Sequence, residues 1–227
     1  MTPVAGRGPT LGGAIRSAVA DFFYNSWRLV PANVLCGLVL VAVIIVWMRF
    51  GTLPAIAVLP FLGLPLAGLA RMAGFIARGE DVVLSDAWSA WRSTWPAAFG
   101  LALALTVAGV VLASNVVVGL TSGTLPGFAI ATLAGWGLLA TWVFAIAAWP
   151  LLMDPHRVEL SVRQRLRAAA LVGLAFPIRM GLFSLVLALF LALSTVAFAA
   201  LVTVSIAFAA LLATRYVLPA ADRIAGL

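Results

Sequence analysis

Lysine is absent from this sequence, histidine and cysteine occur once each, and charged residues make up only 9% of the 227 positions. Without lysine there is no Walker A phosphate-binding loop, because that loop depends on a lysine side chain. Cys36 alone excludes an intramolecular disulfide and a cysteine-cluster metal site, and His156 has no second histidine at metal-ligand spacing. G-x-S-x-G motifs and paired carboxylates within apolar segments are also lacking. The sequence therefore predicts a protein with no enzymatic activity, no cofactor and no metal.

What the sequence has in abundance is apolar residues. They make up 64% of the chain, and the mean hydropathy is +1.17, whereas about a quarter of the residues in a soluble domain are charged. A membrane-spanning helix needs about 20 residues, so the chain has room for five or six spans and short connections. We predict an all-α, polytopic membrane helix bundle with six transmembrane helices and three short interfacial amphipathic helices.

Three prolines suggest a repeated unit in which an interfacial helix precedes two spans. Helically spaced apolar residues precede Pro31, a tryptophan-rich segment precedes Pro96, and the capping-box pattern Ser161-Val-Arg-Gln164 precedes Pro177. Because proline breaks or redirects a helix, we place a boundary at each proline. The predicted segments are a flexible tail (1–10), an interfacial helix (11–30), spans (32–50 and 53–77), a second interfacial helix (84–95), spans (97–120 and 128–152), a third interfacial helix (161–176) and spans (178–195 and 196–218).

The uncharged run from Met180 to Thr214 decides between five and six spans. As one helix it would be ~52 Å long at 1.5 Å per residue, against a hydrocarbon core of about 30 Å. We therefore predict two spans joined by a tight turn near Ser194-Thr195. A six-span protein then has both termini in the cytoplasm and all of its 14 arginines except Arg49 on that side of the cell membrane. The net charge of +7 is thereby interpreted as a topology signal and as contact with anionic lipid headgroups, with no role in binding nucleic acid.

Arg71 is the deepest ionisable group in the predicted spans. Together with Arg78 it marks one face at the inner end of the second span, where an arginine can reach the headgroups. Two interpretations stay open for Arg71, a headgroup anchor or a functional group. In the second case it would pair with Asp86 or Glu80, or would hold an anionic lipid.

Three further sets of residues are candidate contact sites. The tryptophan stripe is typical of an interfacial anchor, and its members are Trp88, Trp91 and Trp95. The third interfacial helix carries arginines that we expect to contact a partner protein or anionic lipid, namely Arg163, Arg165 and Arg167, with Arg165 pointing away from the other two. Asn115 is a candidate for a polar contact between spans.

The segment Pro60-Phe-Leu-Gly-Leu-Pro-Leu-Ala-Gly-Leu-Ala-Arg71, followed by Arg78-Gly-Glu-Asp81 and the tryptophan helix to Trp95, resembles the YesL family, also called DUF624. The resemblance implies a multi-pass membrane protein that is accessory to, or regulates, carbohydrate uptake by an ABC system, with ABC permease subunits or a second copy of the chain as partner. It supplies no catalytic or ligand residues. The alternative is a small transporter or channel with its own substrate path. A polar cavity reaching the midplane near Asn115 or Thr106 would favour transport, and a dry interior would favour the accessory role.

Overall fold

The computed structural model describes residues 10–226, apart from the side chain of Leu201, and it contains helices and no strands in that range. Thr10 caps the first helix by accepting a hydrogen bond from the Gly13 amide at 3.2 Å. The elements are α1 (Leu11–Phe50), α2 (Thr52–Val58), a 3₁₀ turn (Leu59–Leu62), α3 (Gly63–Arg78), α4 (Leu84–Thr121), α5 (Leu125–Met153), a 3₁₀ turn (Pro155–Arg157), α6 (Val162–Ala175), α7 (Pro177–Val196), α8 (Phe198–Ala200), a π-helical segment (Leu201–Ser205) and α9 (Ile206–Ala225).

Six of these helical stretches are long and apolar enough to cross a membrane: Leu11–Phe50, Thr52–Arg78, Leu84–Thr121, Leu125–Met153, Pro177–Val196 and Phe198–Ala225. The prediction of an all-α bundle with six such helices is therefore confirmed. The predicted tail (1–10) lies, except for Thr10, outside the described residues.

The predicted boundary at Pro31 is wrong, because α1 runs through this proline without a break. Proline removes one backbone hydrogen bond, but α1 packs along the last span on both sides of it. On one side Arg215 reaches Asp21, with 2.6 Å between Nε and Oδ2, and on the other side Asn33 contacts Val202. Packing against one continuous partner therefore holds both halves of α1 in line.

The predicted boundary at Pro96 is wrong for the same reason, since α4 also continues through its proline. The partner here is α3, which contacts α4 on both sides of Pro96. A Cβ atom added to Gly68 would lie 3.2 Å from the carbonyl oxygen of Ala87, and one added to Gly63 would lie 2.9 Å from that of Ala98. These close approaches of small residues are typical of membrane helix pairs. Separate interfacial helices at 11–30 and 84–95, and with them the threefold repeat, are not present.

Only the third predicted unit has the expected break. Ser161 caps α6 by accepting from the Gln164 amide, and the Gln164 side chain accepts from the Ser161 amide at 2.9 Å, so the capping box is confirmed. Phe176 leaves the helical conformation (φ −129°, ψ 54°) immediately before Pro177, because a residue that precedes proline is disfavoured in the α region.

The long uncharged run forms an antiparallel pair of helices, as predicted. The chain reverses at Ala197 (φ −102°, ψ 71°), two residues beyond the predicted turn. Phe190 packs on Phe208 with 5.3 Å between ring centroids, and Phe183 stacks on Tyr216 at 4.3 Å. These pairs, nested around the turn, place α7 and the last span side by side.

The chain alternates in direction, so the ends of α3 and α5, the start of α4 and the end of α9 meet at one end of the bundle. We call this the charged end, because it holds most of the arginines of residues 10–226, whereas Arg28 lies near the middle of α1 and Arg49 at its opposite end. Gly79 (φ 78°) closes α3 in the left-handed conformation that favours glycine. The charged end contains the polar contacts described next.

Candidate functional site at the charged end

Two arginines and two aspartates from distant parts of the chain form a closed ring of ion pairs at the charged end. Arg78 at the end of α3 contacts Asp154 at 2.6 Å and Asp222 at 2.7 Å. Arg157 contacts the same two carboxylates, at 3.1 Å to Asp154 and 2.6 Å to Asp222. Each arginine therefore touches both aspartates. We call these four residues the Arg/Asp ring.

The Arg/Asp ring is well shielded from solvent. The side chain of Asp154 is fully buried, that of Arg157 is 7% exposed, and those of Arg78 and Asp222 are 17% and 21% exposed. The two positive and two negative charges balance within the ring, and the short, multiple contacts satisfy the requirement that buried charges be paired and hydrogen-bonded. The ring joins the end of the second span, the connection after α5, and the end of the last span.

The role expected for Arg78 is corrected by this arrangement. The sequence placed Arg78 at the headgroups or on a partner, but its guanidinium is committed to Asp154 and Asp222. The physical reason is that a half-buried arginine gains more from two carboxylates held at bonding distance than from headgroups that must be recruited from the bilayer.

Two further polar contacts lie next to the ring. Arg215 in α9 pairs with Asp21 in α1, and its other nitrogens donate to the carbonyl oxygens of Ile76 and Ala77 at the end of α3, at 3.2 and 3.1 Å. His156 pairs with Glu80 in a more exposed position. Arg215 therefore extends the polar network to α1, so that the first, second and last spans are fixed together at the charged end.

Arg71 and Arg165 differ from the ring arginines, because neither has a carboxylate within 4.0 Å among residues 10–226. Arg71 donates to the carbonyl oxygen of Met153 at 3.3 Å, and Arg165 donates to that of Leu152 at 2.5 Å. The predicted pairing of Arg71 with Asp86 or Glu80 is thus not an ion pair in the structure. Burial, together with the nearby positive charge of Arg71, lowers the pKa of Arg165. We call Arg71 and Arg165 the unpaired arginines.

The arginines of α6 lie on two different faces of the helix, as their spacing predicts. Arg163 and Arg167 are exposed on the outer face, whereas Arg165 is half-buried and points toward the end of α5.

The tryptophans of α4 also differ in their exposure. Trp88 and Trp95 are 53% and 55% exposed, whereas Trp91 is half-buried, packs edge-on against Trp88 at 5.0 Å, and has a buried indole N–H without an acceptor in the described structure.

The candidate polar contact between spans was assigned to the wrong residue. Asn115 is exposed, and its side-chain amide donates to the carbonyl oxygen of Val111 in its own helix at 2.8 Å. Asn33, fully buried in α1, makes the interhelical contact instead. Its amide donates to the carbonyl oxygen of Val202 and accepts from the amide of Ala207, both at 2.5 Å.

Asn33 explains why the last span tolerates a π-helical segment. In a π turn the carbonyl of residue i accepts from the amide of residue i+5, which pairs Val202 with Ala207. The amide group of Asn33 stands between those two groups and bonds to both, in the manner of an inserted peptide unit. Unpaired backbone groups are costly inside a bilayer, so the side chain of one helix compensates for the irregularity of another.

The space between the spans is lined by apolar groups. A cleft of about 460 Å³ lies among α1, the second span, α5, α7 and the last span. Thr195 is the one hydroxyl-bearing residue in its described lining, and the indole of Trp142 donates to the carbonyl oxygen of Ser184 at 3.1 Å. Asn115 and Thr106 are not part of this cleft.

The sequence indicated Arg71, Arg78 and Arg165 as candidate contact residues. It did not indicate Asp154, Arg157 and Asp222, which form the Arg/Asp ring with Arg78. A usable signal was present. Asp154 follows an apolar run of 29 residues in α5 directly, and Asp222 lies near the end of another span. An acid at the arginine-rich end of a span is a natural partner for an arginine at the end of a neighbouring span.

No known family model matches this chain, and no characterised protein or solved structure shows significant similarity to it.

Proposed function

We propose that this chain is a non-enzymatic accessory protein of the cell membrane, with both termini in the cytoplasm, that assists or regulates a transport system through contacts with a partner. The observation that carries the proposal is the distribution of polar side chains. Ionised groups gather at one end of the bundle, while the cleft between the spans is lined by apolar residues. A solute crossing the membrane needs a polar route, and this arrangement favours action by contact.

The orientation is supported by the arginines. Within residues 10–226 the charged end holds the arginines other than Arg28, near the middle of α1, and Arg49, at the far end of α1. An excess of arginine is typical of the cytoplasmic side of membrane proteins. The charged end therefore faces the cytoplasm in our proposal, and α6 with its exposed arginines lies on that side.

The docking surface that we propose is the outer face of α6. Arg163 and Arg167 are exposed there and have no carboxylate within 4.0 Å in the described part of the chain. The resemblance to the YesL family suggests the permease subunits of a carbohydrate ABC system as the partner. The exposed Trp88 and Trp95 would anchor the same end at the membrane surface.

The test is affinity purification of the tagged protein in a mild detergent, followed by mass spectrometry of the proteins that co-purify. We expect ABC permease subunits in stoichiometric amount with the natural chain. We expect their loss from the double variant Arg163→Gln with Arg167→Gln. Arg16→Gln with Arg92→Gln is a matched control, because both residues are exposed and lie at the same end of the bundle. Recovery of the chain alone, or equal loss in both double variants, would contradict the proposal.

A small transporter is the second candidate, favoured by one observation. Two spans contain backbone that is not α-helical, the 3₁₀ turn Leu59–Leu62 and the π segment Leu201–Ser205. Interrupted helices form the substrate sites of many transporters, and π segments are frequent at functional sites. Substrate flux into liposomes containing the purified protein alone would establish this candidate, and its absence together with a stable ABC complex would exclude it.

A further inference from the structure

A second cleft at the charged end is lined by one arginine, two hydroxyl-bearing residues and apolar residues. It measures about 310 Å³ and lies between α4 and α6, above the end of α5. Its lining includes the side chains of Ser93, Thr94, Leu152 and Arg165. We call it the α4/α6 cleft. Arg71 lies next to this lining: it donates to the carbonyl oxygen of Met153 at the end of α5, and Arg165 donates to that of the preceding residue, Leu152.

The two unpaired arginines bring positive charge to this cleft that the described protein does not neutralise. Three carboxylates act on Arg71 at longer range, and each is engaged elsewhere: Asp154 in the Arg/Asp ring, Asp86 with the amide of Val83, and Glu80 with His156. A half-buried charge without a counter-charge is costly, because the protein interior solvates it poorly. The site is therefore more stable when an anion is present.

The unpaired arginines also have free donors that match an oxyanion. A guanidinium carries five N–H groups. Arg165 uses Nε for the carbonyl of Leu160 and Nη1 for that of Leu152, which leaves Nη2 free. Arg71 donates one hydrogen bond, from Nη1 to the carbonyl of Met153, and its guanidinium lies 5.1 Å from the centroid of the Phe75 ring. The remaining N–H groups can donate charge-assisted hydrogen bonds to phosphate oxygens.

We propose that the α4/α6 cleft binds a phosphate group, with Arg165 as the direct contact and Arg71 as the supporting charge. The phosphate comes either from an anionic phospholipid headgroup or from a free phosphate in the cytoplasm. The location at the end of the spans, where headgroups lie, is consistent with the lipid, and the cleft volume of about 310 Å³ accommodates a phosphate group from either source. This inference does not depend on the accessory role or on the identity of a partner protein.

The test uses the full-length protein in mild detergent and native mass spectrometry with added phosphatidylglycerol or phosphatidylcholine. We expect the natural chain to retain phosphatidylglycerol in preference to phosphatidylcholine. We expect Arg165→Gln and Arg71→Gln each to bind phosphatidylglycerol about tenfold more weakly, which corresponds to ~1.4 kcal/mol. Arg16→Gln is the matched control, since it removes the same charge from an exposed position at the same end of the bundle, and it should bind as the natural chain does.

The source of the phosphate is resolved by competition. If millimolar inorganic phosphate displaces phosphatidylglycerol from the natural chain, the site takes free phosphate as well as lipid, and resistance to displacement assigns it to the lipid. Arg165 also supports α6 through two backbone carbonyls, so Arg71→Gln, which gives up one such bond, carries the test if Arg165→Gln does not fold. Equal loss of lipid in Arg71→Gln and Arg16→Gln, or no loss in either, would overturn the proposal.

Discussion

Asp154 is the residue whose neutralisation we expect to damage the bundle most. Its carboxylate is fully buried and accepts four hydrogen bonds: from Arg78 Nε at 3.3 Å and Nη2 at 2.6 Å, from the His156 amide at 3.1 Å, and from Arg157 Nε at 3.1 Å. The change Asp154→Asn preserves the size of the side chain but removes its charge. It also turns an N–H group toward guanidinium nitrogens that can only donate.

The expected magnitude follows from burial. Breaking a buried ion pair by removing one partner costs about 3–5 kcal/mol of unfolding free energy, since the opposite charge stays buried without compensation. Asp222→Asn removes the other acid of the ring, but its side chain is 21% exposed, so water replaces part of what is lost. For Asp222→Asn we expect roughly 1.5–3 kcal/mol, the range for hydrogen bonds to charged groups.

Unfolding by sodium dodecyl sulfate in mixed micelles, followed by tryptophan fluorescence, measures these differences in one assay. Asp81→Asn is the control, because Asp81 is exposed and the substitution removes the same charge from the same end of the bundle. A double-mutant cycle with Arg157→Gln should give a coupling energy within the 0.5–3 kcal/mol found for residues in direct contact. An Asp154→Asn protein as stable as Asp81→Asn would refute the view that the ring fastens the spans.

Three further substitutions test the packing between helices and the cap of α6 in the same assay. Asn33→Leu leaves the carbonyl of Val202 and the amide of Ala207 without their side-chain partner and should cost about 1–3 kcal/mol for each group, whereas Asn115→Leu on the exposed face should cost little. Gly37→Ala places a Cβ against the side chain of Val202 and should destabilise by about 1–3 kcal/mol through overpacking, whereas Gly109→Ala, which has open space, should be neutral or stabilising. Ser161→Ala removes the cap of α6 and should cost about 1 kcal/mol; loss of helical circular dichroism without a change in stability would contradict this assignment.

Much of the fold could be predicted from local properties of the sequence. The number of spans followed from the length of the apolar runs, and the start of α6 followed from its capping box. These features depend on hydrophobic length and on side chains three residues apart, and neither depends on the rest of the molecule. The errors at Pro31 and Pro96 arose because a rule for isolated helices was applied to helices that pack on a neighbour along their whole length.

The candidate site was less predictable, because its contacts join residues far apart in the chain. Arg78 lies 76 residues from Asp154 and 144 from Asp222, and no local pattern relates them. Asn33 and Asn115 occupy similar positions in apolar helices, yet only Asn33 faces a helix with an unpaired carbonyl and amide. The irregular backbone of the last span determines that Asn33, and not Asn115, makes the interhelical contact. That irregularity leaves no clear sign in the sequence.

The Arg/Asp ring also distinguishes Arg78 and Arg157 from the half-buried Arg71 and Arg165 at the same end of the bundle. Within the ring the charges cancel, so Arg78 and Arg157 attract neither a headgroup nor an acidic partner, and their effect is to fix the second and last spans together. Arg71 and Arg165 lie at the next helix end with their donors partly free and with no described acid in contact. Arginine-to-glutamine changes should therefore separate into two classes. Changes in the ring should lower the unfolding free energy and leave the lipid selectivity of the folded protein unchanged. Arg71→Gln should lower the lipid selectivity and have a smaller effect on the unfolding free energy. A variant set in which both quantities change in proportion would contradict this division, because it would mean that the ring and the cleft act as one structural unit.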